Sequence, residues 1–177
     1  MVLWNRSQHI FNTDFKTVSL AFFNRYPNPY AHHVLSIDTL SREIDPTTGE
    51  LVTTRIIKKA GKLPEWIKPF LGKISESWII EISKIDKENL LLTTYTKNLD
   101  HTKIIKVEEY TTYKYDNKIN QTLVESNVKF SSGFGRMNTF RNRIEQWSHE
   151  KFTENIKKSR LGMKFVIDQY LIKSNLN

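Results

Sequence analysis

Residues 33–59 read HVLSIDTLSREIDPTTGELVTTRIIKK and contain two β-like runs on either side of a turn. The turn is Asp45–Gly49, in which proline fixes its own φ and glycine tolerates a positive φ. The flanking runs, His33–Ile44 and Leu51–Lys59, are rich in the β-branched residues that strands favour. The segment is therefore predicted to form a β-hairpin that begins an antiparallel sheet.

More strand-like runs lie on both sides of this hairpin. One run precedes it at Val2–Phe11, and four follow it at about 75–85, 90–99, 103–115 and 121–134. Short polar turns separate the later runs, so they are predicted to continue the sheet as consecutive antiparallel hairpins.

Two helices are predicted to accompany the sheet. The first begins after Thr13, the expected N-cap, and extends to about Asn24, before the prolines Pro27 and Pro29. The second covers about residues 136–172 and contains one glycine, Gly162, so either one long helix or a helix with a single kink is expected. The order of elements predicts an α+β fold with the helices on one face of the sheet. No repeat or domain boundary is visible, so residues 1–177 are expected to form a single domain.

The composition points to anionic partners. The chain has a formal net charge of +8, and 38% of its residues are hydrophobic. No apolar run reaches the 18 or more residues that a membrane-spanning helix needs, and there is no cysteine for thiol chemistry. The charge favours binding to an anionic membrane or to nucleic acid, and it does not choose between them.

Two segments combine apolar and cationic side chains. The strand Leu51–Lys59 carries cations on both faces, either because it borders a site for an anion or because its terminal lysines reach water. The segment 61–73 has an apolar stripe at helical spacing, accompanied by lysines. That stripe fits a membrane-contacting lid as well as it fits a loop packed on the core.

The long helix has an interrupted apolar stripe. Met137, Phe140, Ile144 and Trp147 fall on one arc of the helix, and Lys151, Asn155 and Lys158 continue that arc. If this arc faces the sheet, an interior anion would account for the cations. A second row, Phe152, Ile156 and Met163, offers the alternative that the lysines face water.

Signals for catalysis or metal binding are weak. The chain has no phosphate-binding loop, no nucleophile elbow and no HExxH motif. His32 and His33 are adjacent and would point to opposite sides of a strand, which is poor geometry for joint metal ligation. No nucleophile and base stand out as a pair. We therefore predict neither an enzyme nor a metal site.

Several ordered motifs resemble a known family. They are Phe22–Tyr30 (FFNRYPNPY), His33–Thr39 (HVLSIDT), Lys58–Pro64 (KKAGKLP), Asn98–His101 (NLDH), Glu108–Tyr110 (EEY) and Trp147–Gly162. Together they make essentially the whole chain similar to the PRELI-like (slowmo/Ups) phospholipid carriers of mitochondria. Within that family, the sequence resembles most the fungal branch that carries phosphatidic acid.

The resemblance implies a fold, a location and a partner. The implied fold is a seven-stranded, curved antiparallel sheet around a lipid pocket, closed by a long C-terminal helix, a short N-terminal helix and a lid loop. The implied location is the mitochondrial intermembrane space, peripherally on the inner membrane. The implied partner is a small helical protein with twin Cys-x9-Cys motifs, which forms a heterodimer with the carrier.

The resemblance also implies which residues hold the lipid. Head-group binding falls on Arg25, His33, Lys59, Lys151, Asn155 and Lys158. The lid and membrane contact fall on Lys62, Leu63, Trp66, Ile67, Phe70 and Leu71. Under this resemblance, the arc with Lys151, Asn155 and Lys158 is expected to face inward.

The expected function is therefore transfer of phosphatidic acid between the outer and inner mitochondrial membranes, in support of cardiolipin synthesis. The expected partners are anionic mitochondrial membranes and phosphatidic acid itself, with no nucleic acid and no cofactor. One alternative is a phosphatidylserine carrier of the same family. Another is a basic interaction module that transfers no lipid, and a phospholipid-modifying enzyme is a third.

Overall fold

The computed structural model of the chain describes residues 2–61, 65, 66, 68, 76–102, 105–133 and 138–175. Seven strands and two helices lie within these residues. They are β1 (Val2–Phe11), α1 (Phe15–Phe23), β2 (Val34–Ile44), β3 (Leu51–Ala60), β4 (Glu76–Asp86), β5 (Leu91–Asn98), β6 (Ile105–Asp116), β7 (Gln121–Ser132) and α2 (Asn138–Asn175).

The strands form one antiparallel sheet in the order β1-β7-β6-β5-β4-β3-β2. From β2 to β7 each strand pairs with the next in the chain, and β1 joins at the far edge by pairing with β7. The predicted α+β class and the seven-stranded antiparallel sheet are confirmed.

The predicted hairpin turn follows the chemistry of its residues. The Asp45 carboxylate accepts a hydrogen bond from the backbone N–H of Thr47, with 2.8 Å between N and Oδ1. Gly49 closes the turn at a φ of 73°, a conformation that a side chain would strain. Ile44 and Leu51 are then paired across β2 and β3.

The start of α1 differs from the prediction by one residue. Asp14, and not Thr13, is the N-cap: its backbone is extended, and its side chain accepts a hydrogen bond from Thr17 N at 2.9 Å. A carboxylate at this position also complements the positive end of the helix dipole. The helix ends at Phe23, before the two prolines.

The hydrophobic core occupies one end of the molecule. It joins α1 and the last third of α2 to one end of the sheet, and its most buried members include Val18, Phe22, Leu92 and Met163. Each such side chain contributes roughly 1.5–3 kcal/mol by leaving water. α2 continues through Gly162 as one helix of 38 residues. No helix in the described part of the chain is both long enough and apolar enough to cross a membrane.

Candidate functional site

Arg25 lies directly after α1 and is buried, with 9% of its surface exposed. Its Nη1 donates to the Phe22 carbonyl oxygen at 2.7 Å, and its Nη2 donates to the Glu81 carboxylate. Its Cζ lies 4.1 Å from the centroid of the Phe22 ring. Burial opposes the charged form of Arg25, but Glu81, Tyr26 and Tyr113 together outweigh that effect and raise the pKa of Arg25 above its usual value.

Glu81 connects Arg25 to a second buried arginine, Arg55. Arg55 lies opposite Glu81 in the β3–β4 register, and its Nε donates to Glu81 Oε1 at 2.8 Å. Its Nη1 donates to the Phe23 carbonyl oxygen at 3.1 Å, so both arginines hold the C-terminal carbonyls of α1. Burial alone would raise the pKa of Glu81, but Arg25 and then Arg55 lower it. The triad of Arg25, Glu81 and Arg55 therefore leaves one positive charge in excess.

Tyr26 and Lys59 are two half-buried residues near this triad. The Tyr26 ring centroid lies 4.7 Å from the Arg25 Cζ. Burial alone would raise the pKa of Tyr26, but the charges of Arg25 and then Lys59 lower it. Lys59 pairs with Val34 across β2 and β3, and no ion pair between described residues includes it.

His33 is the meeting point of three parts of the chain. It precedes β2, and its carbonyl oxygen accepts from the Ala60 N–H at 2.7 Å, which fixes it beside the end of β3. Burial, followed by the charges of Lys59 and Lys158, lowers the pKa of His33 to about 4. His33 is therefore neutral at pH 7. We call Arg25, Tyr26, His33, Lys59 and Lys158 the His33 cluster.

The helix side of the site carries an acid between its lysines. Lys151 Nζ donates to Glu154 Oε2 at 2.8 Å, and Lys158 Nζ donates to Glu154 Oε1 at 2.6 Å. These hydrogen bonds, from Lys151 first and Lys158 second, lower the pKa of Glu154 to about 2. Asn155 lies beside them and is exposed.

The expectation that Lys151, Asn155 and Lys158 face the sheet is wrong. Lys151 is half-buried, and Asn155 and Lys158 are exposed. The alternative row with Ile156 and Met163 faces the sheet instead, because apolar side chains gain from burial and lysines would lose their hydration there. The lysines therefore lie at the rim of the helix-covered face, and Lys158 reaches His33 from that rim.

The expected lid lies largely outside the described residues. Lys62, Leu63, Ile67, Phe70 and Leu71 are not among them. Trp66 is described: it is half-buried, and its ring centroid is 6.2 Å from that of Phe140 in α2.

On the helix-covered face of the sheet, side chains form rows that differ in polarity. Because register aligns every second residue of each strand, rows of side chains cross the sheet. An apolar row includes Ile57, Ile79, Val107 and Phe130. The row next to it contains Arg55 and Glu81, and the row after that is made of hydroxyls: Thr53, Ser83, Thr94, Thr111, Ser126 and Ser7. The hydrophobic core lies beyond this hydroxyl row.

A small cavity adjoins the polar rows, and two buried polar atoms of the described residues lack a hydrogen-bond partner. The cavity lies between the sheet and α2, is lined by residues that include Ser7, Glu109 and Arg160, and has a volume of about 40 Å³. Among the described residues, Thr53 Oγ1 and Trp147 Nε1 are buried without a hydrogen-bond partner. Buried polar atoms are normally paired, so these two have capacity for a polar ligand or water.

The structure adds Tyr26, Arg55, Glu81 and Glu154 to the residues expected from sequence. Arg55 had a visible signal, a cation on a predicted strand, but its partner Glu81 becomes identifiable only once the register of β3 and β4 is known. Glu154 could have been found by its i,i+3 and i,i+4 spacing from the two lysines. The described residues contain no group of acidic and histidine side chains able to hold a metal ion.

The fold and the site together define a class of protein. It is a single-sheet α+β domain in which two helices cover one sheet face, with a cationic cluster at the rim of that face. The structure of TTHA0849 from Thermus thermophilus has the same overall fold, with a TM-score of 0.62 at 14% identity over 95% of this chain and 99% of that one. At this identity the similarity concerns the fold alone.

Sequence comparison identifies the family. The model of the PRELI-like family matches residues 16–174. The chain is 59% identical to Protein UPS1, mitochondrial, of Saccharomyces cerevisiae, over 96% of this chain and 95% of that protein. It is 35% identical to the slowmo homolog of Dictyostelium discoideum, over 94% and 72% of the two chains. It is 29% identical to human PRELI domain-containing protein 1, mitochondrial, over 94% and 76%. The chain belongs to the PRELI-like family.

Proposed function

We propose that this protein carries phosphatidic acid between the outer and inner mitochondrial membranes and thereby supports cardiolipin synthesis. The observation that carries the proposal is the convergence on His33 of Lys59 from β3 and Lys158 from α2. Membership of the PRELI-like family supports the same proposal. A carrier needs such a site for the lipid head group and needs no nucleophile.

The His33 cluster has the chemistry to hold a phosphomonoester. Such a group carries roughly −1.5 to −2 charges near neutral pH. Lys59 and Lys158 supply point charges, and the excess charge of the buried triad lies behind them. Neutral His33 and the Tyr26 phenol can donate hydrogen bonds to phosphate oxygens without adding further charge.

The acyl chains require more room than the cavity lined by Ser7, Glu109 and Arg160 offers. The cavity there holds about 40 Å³, whereas sites for drug-sized ligands occupy roughly 300–1,000 Å³. We propose that loading separates the first half of α2 from the sheet and exposes the apolar row with Ile57 and Phe130. The unpaired Thr53 Oγ1 and Trp147 Nε1 would then be available to the ester oxygens of the lipid.

The proposal includes a compartment and a partner. Two of the relatives named above are designated mitochondrial proteins, and we place this protein in the intermembrane space, peripherally on the inner membrane. Its proposed partner is the small helical protein with twin Cys-x9-Cys motifs. Co-purification from intermembrane-space extracts tests both, and an absence of such a partner would remove that part of the proposal.

Two measurements test the carrier function. Mass spectrometry of lipid bound to the purified protein should find phosphatidic acid, and phosphatidylserine there would assign the other cargo. A vesicle assay should show transfer of phosphatidic acid but not of phosphatidylcholine. The double variant K59Q/K158Q should lose most of that transfer. The double variant K114Q/K118Q, which removes the same charge from two exposed positions, should retain it; equal losses would overturn the site.

A further inference from the structure

Glu154 occupies the position of an anionic ligand within the helix side of the site. Its two carboxylate oxygens each accept a hydrogen bond from a different lysine, Lys151 and Lys158. It also lies within electrostatic reach of His33, where its charge opposes that of the lysines. Two of the residues expected to bind the head group are thus already paired by an acid of the same chain.

This acid differs from Glu81, which pairs with Arg25. The side chain of Glu81 is 2% exposed and is held by two buried guanidinium groups, so its removal would leave buried charges unpaired. The side chain of Glu154 is 44% exposed, and those of Lys151 and Lys158 are 40% and 45% exposed. Exposed ion pairs of this kind are weak, and water can replace either partner. Glu154 is therefore the carboxylate that can leave its cations at low cost.

We propose that Glu154 is an exchangeable internal counter-ion, which pairs with Lys151 and Lys158 in the lipid-free protein and is displaced by the lipid phosphate. This inference rests on the proposed carrier function. When the lipid leaves, Glu154 returns to the lysines, so release does not leave two cations unpaired. Glu154 thereby lowers the affinity for the head group and increases the rate of release. A carrier benefits from both effects because it must release its cargo at the acceptor membrane.

The experiment compares E154Q with E150Q. Glu150 lies one helical turn earlier, is exposed and accepts a hydrogen bond from Gln146, and it forms no ion pair among the described residues. Both substitutions remove one negative charge from the same helix. Glutamine is close to glutamate in shape and helix propensity, so neither variant is expected to unfold.

The probes are dioctanoyl phosphatidic acid, dioctanoyl phosphatidylcholine and inorganic phosphate, each titrated by calorimetry. E154Q should bind dioctanoyl phosphatidic acid about three- to tenfold more tightly than the wild type, because two weak ion pairs no longer compete. Its affinity for dioctanoyl phosphatidylcholine should not change, and E150Q should match the wild type with all three probes. In vesicle transfer, release of phosphatidic acid by E154Q should be slower by a similar factor.

The outcomes separate the inference from the function on which it rests. If the wild type carries phosphatidic acid but E154Q and E150Q bind it equally well, Glu154 serves only to stabilise the helix and the inference is wrong. If the wild type binds neither short-chain lipid, the carrier function itself fails. If inorganic phosphate binds as tightly as dioctanoyl phosphatidic acid, the site recognises free phosphate, and the exchange with a lipid is likewise overturned.

Discussion

Arg25 is held by the fold before any ligand arrives, and this determines the effect of replacing it. R25E would place a second carboxylate beside Glu81 in a buried site. Of the three residues of the triad, Arg55 alone would then carry a positive charge. Breaking a buried ion pair in this way costs about 3–5 kcal/mol. We therefore expect R25E to lower the free energy of unfolding in urea by that amount.

Arg42 provides the matched control for this charge reversal. It is exposed and approaches only the edge of the same region, with its Cζ 5.3 Å from the centroid of the Phe23 ring. R42E should change the free energy of unfolding by less than about 1 kcal/mol. If R25E and R42E unfold at the same urea concentration, the triad does not stabilise the fold.

His33 predicts how stability depends on pH. Its folded pKa of about 4 lies below the usual value of 6.5, so between these values the unfolded chain binds a proton that the folded protein excludes. The stability contributed by neutral His33 is therefore complete above pH 6.5 and is lost as the pH falls to about 4. Because His33 is only half-buried, we expect the loss to be roughly 1 kcal/mol.

H33Q and H32Q distinguish this effect from the titration of other groups. Glutamine cannot be protonated, so H33Q should show a smaller decrease in thermal stability between about pH 7 and about pH 4.5 than the wild type. His32 is exposed, and H32Q should follow the wild-type profile. Identical profiles for all three proteins would show that the environment of His33 does not disfavour its protonation.

At the scale of elements, Gly162 sets how closely α2 approaches the segment after α1. A Cβ at this position would lie 2.8 Å from Asn28 Nδ2 and 2.9 Å from Asn28 Oδ1. Hydrogen bonds hold that amide at both ends, since Nδ2 donates to the Arg25 carbonyl and Oδ1 accepts from Tyr30 N. The amide cannot move aside without losing them.

G162A should therefore destabilise the protein by roughly 1 kcal/mol, although alanine favours a helix by about that amount over glycine. In an N28A background the clash is absent, and the same substitution should be stabilising. Thermal denaturation of the two single variants and the double variant measures the coupling. An effect of the same sign in both backgrounds would contradict the close approach.

The elements also show how far the sequence alone could predict the site. The strands were predictable because their runs are rich in β-branched residues and most of them end at polar turns, as at Asp45–Gly49. Which side of α2 faces the sheet could not be predicted. The row with Lys151, Asn155 and Lys158 and the row with Phe152, Ile156 and Met163 lie side by side on the helix, and either could have faced inward. Asn155 and Ile156 are neighbours in sequence, and packing against the sheet determines that Ile156 is half-buried while Asn155 is exposed. Glu81 could not be assigned either, since its partners lie on other elements.

At the scale of the whole molecule, the charge of +8 should bring the protein to anionic membranes. Screening shortens the Debye length from about 10 Å at 0.1 M salt to about 3 Å at 1 M, so sedimentation with vesicles of phosphatidylcholine and phosphatidylglycerol should decrease across that range.

The His33 cluster predicts that the position of a charge affects membrane binding as well as the net charge of the protein. K158Q should weaken binding at low salt by about fivefold, since a lysine near the surface contributes about 1 kcal/mol. K114Q removes the same charge from an exposed residue on the opposite face of the sheet, as its register with Leu91 and Leu123 shows, and it should weaken binding less. Equal losses, or binding that salt does not change, would mean that the cluster does not face the membrane.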